Sequence, residues 1–296
     1  MAPPRSALRN RLELAAYHLI RGLLQLLPLR AAESLGRGTG RLYRFLDRRR
    51  RRLVRENLTF AFPEKTPAEI ERLAGDSFAH LGGLTADLLR SGTAPLERIL
   101  SRIEVSGLEH ARAAASSGRG VFCATSHLGN WEWPALVSGA NGIPATIVAR
   151  PSDNPLLDAR LTAMRERTGC RIVSKRSAGR ALLKTVRGGG VVGILADQRA
   201  RPPDAALVPF FGRLAWTTTS IARLVEQTGA LILPAVCLRT APGRYRVVFS
   251  EALDPRTFPP EDRGVVPLTA RITALVESQI REAPEQWLWL HDRWRR

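Results

Sequence analysis

Gly118-Arg-Gly-Val-Phe-Cys-Ala-Thr-Ser-His127-Leu-Gly-Asn-Trp-Glu132-Trp-Pro134 decides how the rest of the 296-residue chain is read. Val121 to Thr125 is a short, nearly unbroken apolar run of strand length, with a glycine before it and a Gly-Asn turn after it. Such a run suits a strand buried on both faces. It feeds into a lone histidine, and a glutamate follows at the start of a helical stretch. An ionisable pair is thereby expected at the carboxyl end of a strand, where open α/β sheets hold their ligands.

Downstream and just upstream of this stretch the same rhythm repeats. Strands are expected at Ile103–Val105, Gly120–Thr125, Ala145–Ala149, Cys170–Val173, Val191–Ala196, Leu231–Leu238 and Arg244–Ser250. Helices are expected at Leu108–Ala115, Trp131–Ser138, Pro155–Thr168, Ala178–Arg187, Thr217–Thr228 and Thr269–Glu282. Arg244–Ser250 alternates in character and reads as near an edge. Apolar strands alternating with helices predict an α/β fold, with a mostly parallel central sheet flanked by helices.

The front of the chain is different. Ala7 to Leu29 reads as a helix, and on it Glu13, His18, Arg21 and Gln25 fall within an arc of about 140°. The remaining surface is Leu, Ile, Ala and Tyr. From Arg37, arginines 41, 44, 48, 51 and 55 recur every three or four residues, with Leu35, Leu42, Leu46 and Leu53 opposite them. A wide apolar face beside a basic stripe reads as an amphipathic, membrane-docking helical section. The competing reading is a pair of helices packed on their own domain with a solvated arginine face. Asn57 to Thr66 reads as a loop, after which Thr66-Pro67-Ala-Glu69 opens a helix with a capping box. The expected division is an N-terminal helical section, residues 1–95, and an α/β core, residues 96–296, integrated as one domain.

Composition narrows the partners. Forty-five Lys+Arg against 27 Asp+Glu give a formal charge of +18, and lysine contributes only Lys65, Lys175 and Lys184. That surplus attracts phosphate-rich or acidic partners: an anionic membrane, an acidic carrier protein or nucleic acid. No aromatic-interleaved basic motif supports nucleic acid. The chain is 44% hydrophobic, too apolar for disorder. Cys123, Cys170 and Cys237 are scattered and read as reduced core thiols. No run of 18 uninterrupted apolar residues marks a membrane span. Interrupting polar residues and the lack of a cleavage site argue against a signal peptide at Met1–Leu29.

Imidazole titrates near neutrality, so His127 is the best-placed group to remove a proton from a hydroxyl, and Glu132 across the turn could fold back to orient it. A structural histidine remains the alternative on this spacing alone. His18, His80, His110 and His291 have no comparable placement, and no two histidines have metal-ligand spacing. A serine hydrolase is disfavoured: there is no Gly-x-Ser-x-Gly elbow, and Ser126 points opposite to His127 on an extended segment. Further polar clusters follow other strands, at Arg150–Asn154 and Asp197-Gln198-Arg199. An apolar loop, Pro209-Phe210-Phe211-Gly212-Arg213, precedes a helix. For Asp197 a structural ion pair, and for Phe210 and Phe211 simple loop packing, compete with functional readings.

His127-Leu-Gly-Asn130-Trp-Glu132, Arg150-Pro151, Arg165 with Arg167-Thr-Gly169, Asp197-Gln198-Arg199, Phe210-Phe211-Gly212 and Pro284-Glu-Gln-Trp-Leu-Trp-Leu-His-Asp-Arg293 occur in one order. Together they resemble the lipid A biosynthesis lauroyl/myristoyl acyltransferase family, within the lysophospholipid acyltransferase superfamily, over nearly the whole chain. The resemblance implies His127 as general base and Glu132 as the residue that orients and charge-balances it. It implies that Arg150, Arg165 and Arg199 bind phosphate or the developing oxyanion, with Asp197 holding one of these arginines. Asn130 and Gln198 join them in substrate binding, while Phe210, Phe211 and Gly212 shape the acyl or acceptor site. Backbone N–H groups near Gly129 are the expected oxyanion donors. The implied reaction moves an acyl chain from a thioester, on acyl carrier protein, to a hydroxyl of a membrane glycolipid of lipid A precursor type. It needs no metal and no cofactor, and it is placed at the cytoplasmic face of the inner membrane. A phosphatidylinositol mannoside or other lipid acceptor with acyl-CoA as donor is the nearest alternative. A basic membrane or nucleic-acid binding protein is the non-enzymatic one.

Overall fold

The computed structural model describes residues 6–174 and 178–295. In these the strands are β1 (Ile103–Ser106), β2 (Val121–Thr125), β3 (Ala145–Ala149), β4 (Arg171–Ser174), β5 (Val191–Leu195), β6 (Ala205–Phe210), β7 (Arg213–Thr218), β8 (Leu231–Ala241) and β9 (Arg244–Phe249). The helices are α1 (Ala7–Leu26), α2 (Leu29–Leu46), α3 (Arg48–Ala61), α4 (Pro67–Ser91), α5 (Leu96–Leu100), α6 (Leu108–Ser116), α7 (Trp133–Ala140), α8 (Pro155–Glu166), α9 (Ala178–Arg187), α10 (Ser220–Thr228) and α11 (Val265–Glu282).

Seven strands form one sheet in the order β1-β9-β8-β2-β5-β3-β4. The run from β8 to β4 is parallel throughout, and β9 lies antiparallel to β8. The protein is therefore α/β with a mostly parallel sheet. β9 is one strand in from the edge, because β1 pairs with it in parallel outside. That is near the edge, as its alternation predicts, and the outward residues Arg244 and Arg246 are exposed.

The sheet is buried because its strands are apolar on both faces. Along β2 the side chains alternate between two cores. Val121 joins Trp133, Leu136 and Val137 of α7 and Ala111 and Ala114 of α6. Phe122 and Ala124 join Leu182 and Val186 of α9, Ile221 and Val225 of α10, and Ile272 of α11. This is the three-layer solution for a chain of continuous apolar strands.

The front helices pack unusually closely. α4 opens as its sequence predicts: Thr66 Oγ1 accepts from Glu69 N–H at 3.3 Å, and the Glu69 carboxylate accepts from Thr66 N–H at 2.8 Å. α2 lies against it through glycines. A Cβ added at Gly82 would sit 2.1 Å from Gly36 O, and one at Gly40 would sit 2.1 Å from Phe78 O. Gly36 and Gly40 look like helix breakers in the sequence, yet they lie within α2 because close backbone approach offsets their poor propensity. Gly82→Leu is expected to destabilise the fold by about 1–3 kcal/mol, beyond anything its better helix propensity returns. The readout is the midpoint of thermal unfolding; an unchanged midpoint would mean that α2 and α4 are not in contact.

Two local expectations are corrected. The arginine-rich stretch is not one helix, because Asp47 ends α2 and caps α3, its Oδ1 accepting from Arg50 N–H at 2.9 Å. Residues 57 to 61 are not loop but the last turn of α3. There Asn57 donates to Trp289 O at 2.9 Å, and Leu58 is fully buried. That turn belongs to a core shared by α3, α4 and the C-terminal segment, with Phe78, Phe210, Trp287 and Trp289 among its largest members. The sequence reading also passes over the β6–β7 hairpin. Phe210 and Arg213 pair across a two-residue turn, with φ of 52° at Phe211 and 74° at Gly212. Positive φ at both central residues is the turn geometry that matches strand twist.

Candidate active site

Sheet register brings the site together. β2 and β5 are adjacent and parallel, with Thr125 opposite Leu195. Two residues past each strand end stand His127 and Asp197. Asp197 Oδ1 accepts from His127 Nδ1 at 2.8 Å, and its Oδ2 accepts from the His127 backbone N–H at 2.9 Å. Trp287 Nε1–H donates to the same Oδ2 at 2.8 Å. An ionised carboxylate only accepts, so the proton lies on Nδ1 and the basic nitrogen is Nε2. Nε2 lies 3.4 Å from Gln198 Nε2. The Trp131 ring lies beside the imidazole, centroids 5.1 Å apart.

The carboxylate on the imidazole is therefore Asp197, not Glu132. Both Glu132 oxygens instead accept from Arg165, at 2.7 and 2.8 Å. A bidentate guanidinium partner is stronger than an imidazole N–H for a carboxylate that can reach both. Asp197, correspondingly, holds none of Arg150, Arg165 and Arg199.

Electrostatics follows from this geometry. Burial works to lower the His127 pKa, but the Asp197 charge and hydrogen bond, with a smaller pull from Glu132, outweigh it and hold the pKa above the ordinary histidine value. Burial works against the Asp197 charge, yet His127 and the Trp287 N–H hold its carboxyl below the usual range. The two residues thus agree on an ion-pair-favouring arrangement.

The other expected residues divide. Gly129 has φ 60°, and a Cβ there would lie 1.8 Å from Cys237 O, so only glycine fits this turn. Its N–H donates to Gln286 O at 3.0 Å, and the Asn130 N–H donates to Cys237 O at 2.8 Å. These amides are spoken for and are not free oxyanion donors. Asn130 is fully buried beneath the turn, its Oδ1 accepting from Glu132 N–H at 3.3 Å. Arg150 is not brought to His127; its side chain is 82% exposed, 3.5 Å from Asp153. Its loop serves α8 instead, where Asn154 caps the helix and donates to Asn10 O and Glu13 of α1. Phe210 and Phe211 are buried among Trp287, Trp289 and Trp294. They support the site from behind Trp287 as core, with Gly212 in the hairpin turn. Ser126 Oγ is buried without a partner among the described residues, so no base is placed to activate it.

The residues that sequence reading passed over lie mostly in the C-terminal segment. Trp287 fixes Asp197. His291, held towards its neutral form by burial, accepts from Arg199 N–H at 3.1 Å. Arg293 is fully buried and donates to Trp216 O at 2.8 Å. Burial pushes its pKa down to about 10, against the pull of Asp197. The Pro284–Arg293 string was itself the available signal, but its spacing alone assigns no role. Among the described residues no cluster of three His, Cys, Asp or Glu side chains is placed to hold a metal ion.

Residues 6–296 match the family model of the bacterial lipid A biosynthesis acyltransferases. The chain belongs to that family. It is 31% identical to the lipid A biosynthesis lauroyltransferase of Escherichia coli (strain K12), over 91% of this chain and 87% of that one. It is 26% identical to the lipid A biosynthesis palmitoleoyltransferase of the same strain, over 91% and 86%. The LPA acyltransferase PlsC from Thermotoga maritima superposes with a TM-score of 0.40 and 14% identity, covering 84% of this chain and 98% of that chain. As a member of the family the protein is an acyltransferase, which sets aside the non-enzymatic reading of its basic surface.

Proposed function

We propose that this acyltransferase moves a fatty acyl chain from an acyl thioester, carried by acyl carrier protein, to a hydroxyl of a lipid A precursor at the cytoplasmic face of the inner membrane. The observation that carries the mechanism is the 2.8 Å contact between His127 Nδ1 and buried Asp197, which leaves Nε2 as the basic nitrogen. His127 Nε2 takes the proton of the acceptor hydroxyl as that oxygen attacks the thioester carbonyl. The tetrahedral intermediate collapses, the C–S bond breaks, and the imidazolium returns the proton to the thiolate. Asp197 holds the tautomer and stabilises the imidazolium, acting through His127. Glu132 acts with Arg165 as a fixed ion pair beside the imidazole.

Two surface features support the membrane setting. α1 exposes Leu8, Leu12, Leu19, Leu23 and Leu26, and α2 exposes Leu35, Leu42, Phe45 and Leu46. No helix among the described residues is long and apolar enough to cross a membrane. An uncovered apolar face next to an arginine-rich helix suits a protein lying in the headgroup boundary.

The test is transfer by purified protein with acyl carrier protein or coenzyme A thioesters, read by mass spectrometry of the lipid product. Acylated lipid A precursor formed preferentially from the carrier-protein thioester is the expected result. Acylation of phosphatidylinositol mannoside alone would overturn the assignment of the acceptor. Preference for the coenzyme A thioester would overturn that of the donor.

A further inference from the structure

Beside the site, a cavity of about 390 Å³ opens between α3 and the C-terminal segment. Its volume lies within the ~300–1,000 Å³ range of small-ligand pockets. Arg49, Arg50 and Arg52 of α3 line it on one side, and Arg199, His291 and Arg295 on the other. Five arginines face two carboxylates, Glu56 and Asp292. Glu56 lies only loosely against Arg52, at 3.8 Å. Among the described residues no carboxylate is within ion-pair distance of Arg49, Arg199 or Arg295. The Arg199 Nε is buried with no hydrogen-bond partner. A buried, unpaired guanidinium nitrogen in a cationic cavity is costly unless an anion completes it.

Position identifies the kind of anion. Arg199 stands two residues after Asp197, and the intervening Gln198 touches His127. The other wall belongs to α3, whose first residue, Arg48, closely follows the exposed Phe45 and Leu46 at the end of α2. One wall of the cavity thus adjoins, along the chain, the residue that touches the reacting histidine, and the other adjoins the apolar end of α2. Its concave, guanidinium-lined form suits a compact anion with several oxygens more than the broad surface of a protein.

We propose that this cavity is a phosphate subsite for the lipid acceptor: a phosphomonoester on the acceptor headgroup seats against Arg49, Arg52 and Arg199 and fixes the acceptor hydroxyl near His127. The proposal rests on the acceptor being a glycolipid, as above, and adds that its phosphate is what this enzyme grips.

The experiment measures binding, so it does not depend on turnover. Wild-type protein and an Arg49→Ala/Arg52→Ala double variant are titrated with a phosphorylated glycolipid acceptor in neutral detergent micelles, and with the same lipid after phosphatase treatment. Wild type is expected to prefer the phosphorylated lipid by about tenfold or more, one good charge-assisted contact being of that order. In the double variant the preference is expected to fall towards one, and Arg49→Lys/Arg52→Lys should recover part of it. Far-UV circular dichroism checks that each variant is folded. Equal affinity of wild type for the two lipids would overturn the proposal. So would displacement of the lipid by inorganic phosphate at the lipid's own dissociation constant, which would mark a free-ion site. A loss of acyl carrier protein binding with the phosphate preference intact would place the carrier there instead and overturn it too. Absence of acyl transfer to the lipid, with the binding preference present, would count against the proposed reaction and not against the subsite.

Discussion

His127→Ala is expected to lower acyl transfer by about 10²–10⁴-fold, the usual worth of a positioned general base. The loss should appear in single-turnover transfer from acyl thioester to acceptor, so that product release does not mask it. The fold should survive. His127 sits at a loop after β2, and Asp197 keeps the Trp287 N–H and the backbone N–H of residue 127 when the imidazole is gone. An unchanged thermal midpoint with lost turnover is the expected pair of results. Full turnover would remove His127 from the mechanism.

Asp197→Asn is expected to cost a similar factor and to change the pH profile as well. The base form of His127 is neutral, so activity rises with pH through its pKa. In the wild type that pKa is raised, which puts the acid limb of kcat/KM above the ordinary histidine value near 6.5. Removing the Asp197 charge leaves burial as the leading influence, and burial lowers the pKa. The acid limb should therefore move to lower pH while the plateau falls, because an amide no longer fixes the reactive tautomer. The same reasoning sets a stability signature. A raised histidine pKa adds stability below the unfolded value of 6.5, lost as pH rises through the folded value. In the variant, where burial leads and lowers the pKa, that contribution should reverse, with stability lost as pH falls below 6.5. Glu132→Gln is the informative contrast. If it moved the acid limb further than Asp197→Asn does, Glu132 would be the carboxylate that governs the imidazole.

The contrast between these two carboxylates shows where sequence reading stops. His127 could be singled out from its own stretch, because a buried-type run, a small-residue turn and an imidazole at the strand end are all local. Glu132 was then the nearest carboxylate in sequence, five residues on. Asp197 is 70 residues away, and nothing local says that β5 lies beside β2. It does so because the chain after β2 passes over β5's place, builds β3 and β4, and returns. The same holds for Arg165, which reads as a free anion binder until α8 brings it onto Glu132. Phe210 and Phe211 read as a loop because their hairpin partner strand carries the pattern only when aligned, and their burial needs Trp287, Trp289 and Trp294 from the far end of the chain.

Periodicity and composition were legible along the chain alone: apolar strands alternating with helices, the capping box at Thr66, an amphipathic arginine-rich front end, and a histidine after a strand. Each of these is set by residues within a few positions of one another. Pairing between distant elements came from the fold. Register across β2 and β5 chose Asp197 for His127. Close backbone contact at Gly82 kept Gly36 and Gly40 helical. The C-terminal segment closed the site with Trp287 and, with α3, formed the arginine-lined cavity. Hydrogen bonds and ion pairs act over about 3 Å, and chain separation places no limit on which side chains the fold brings within that distance.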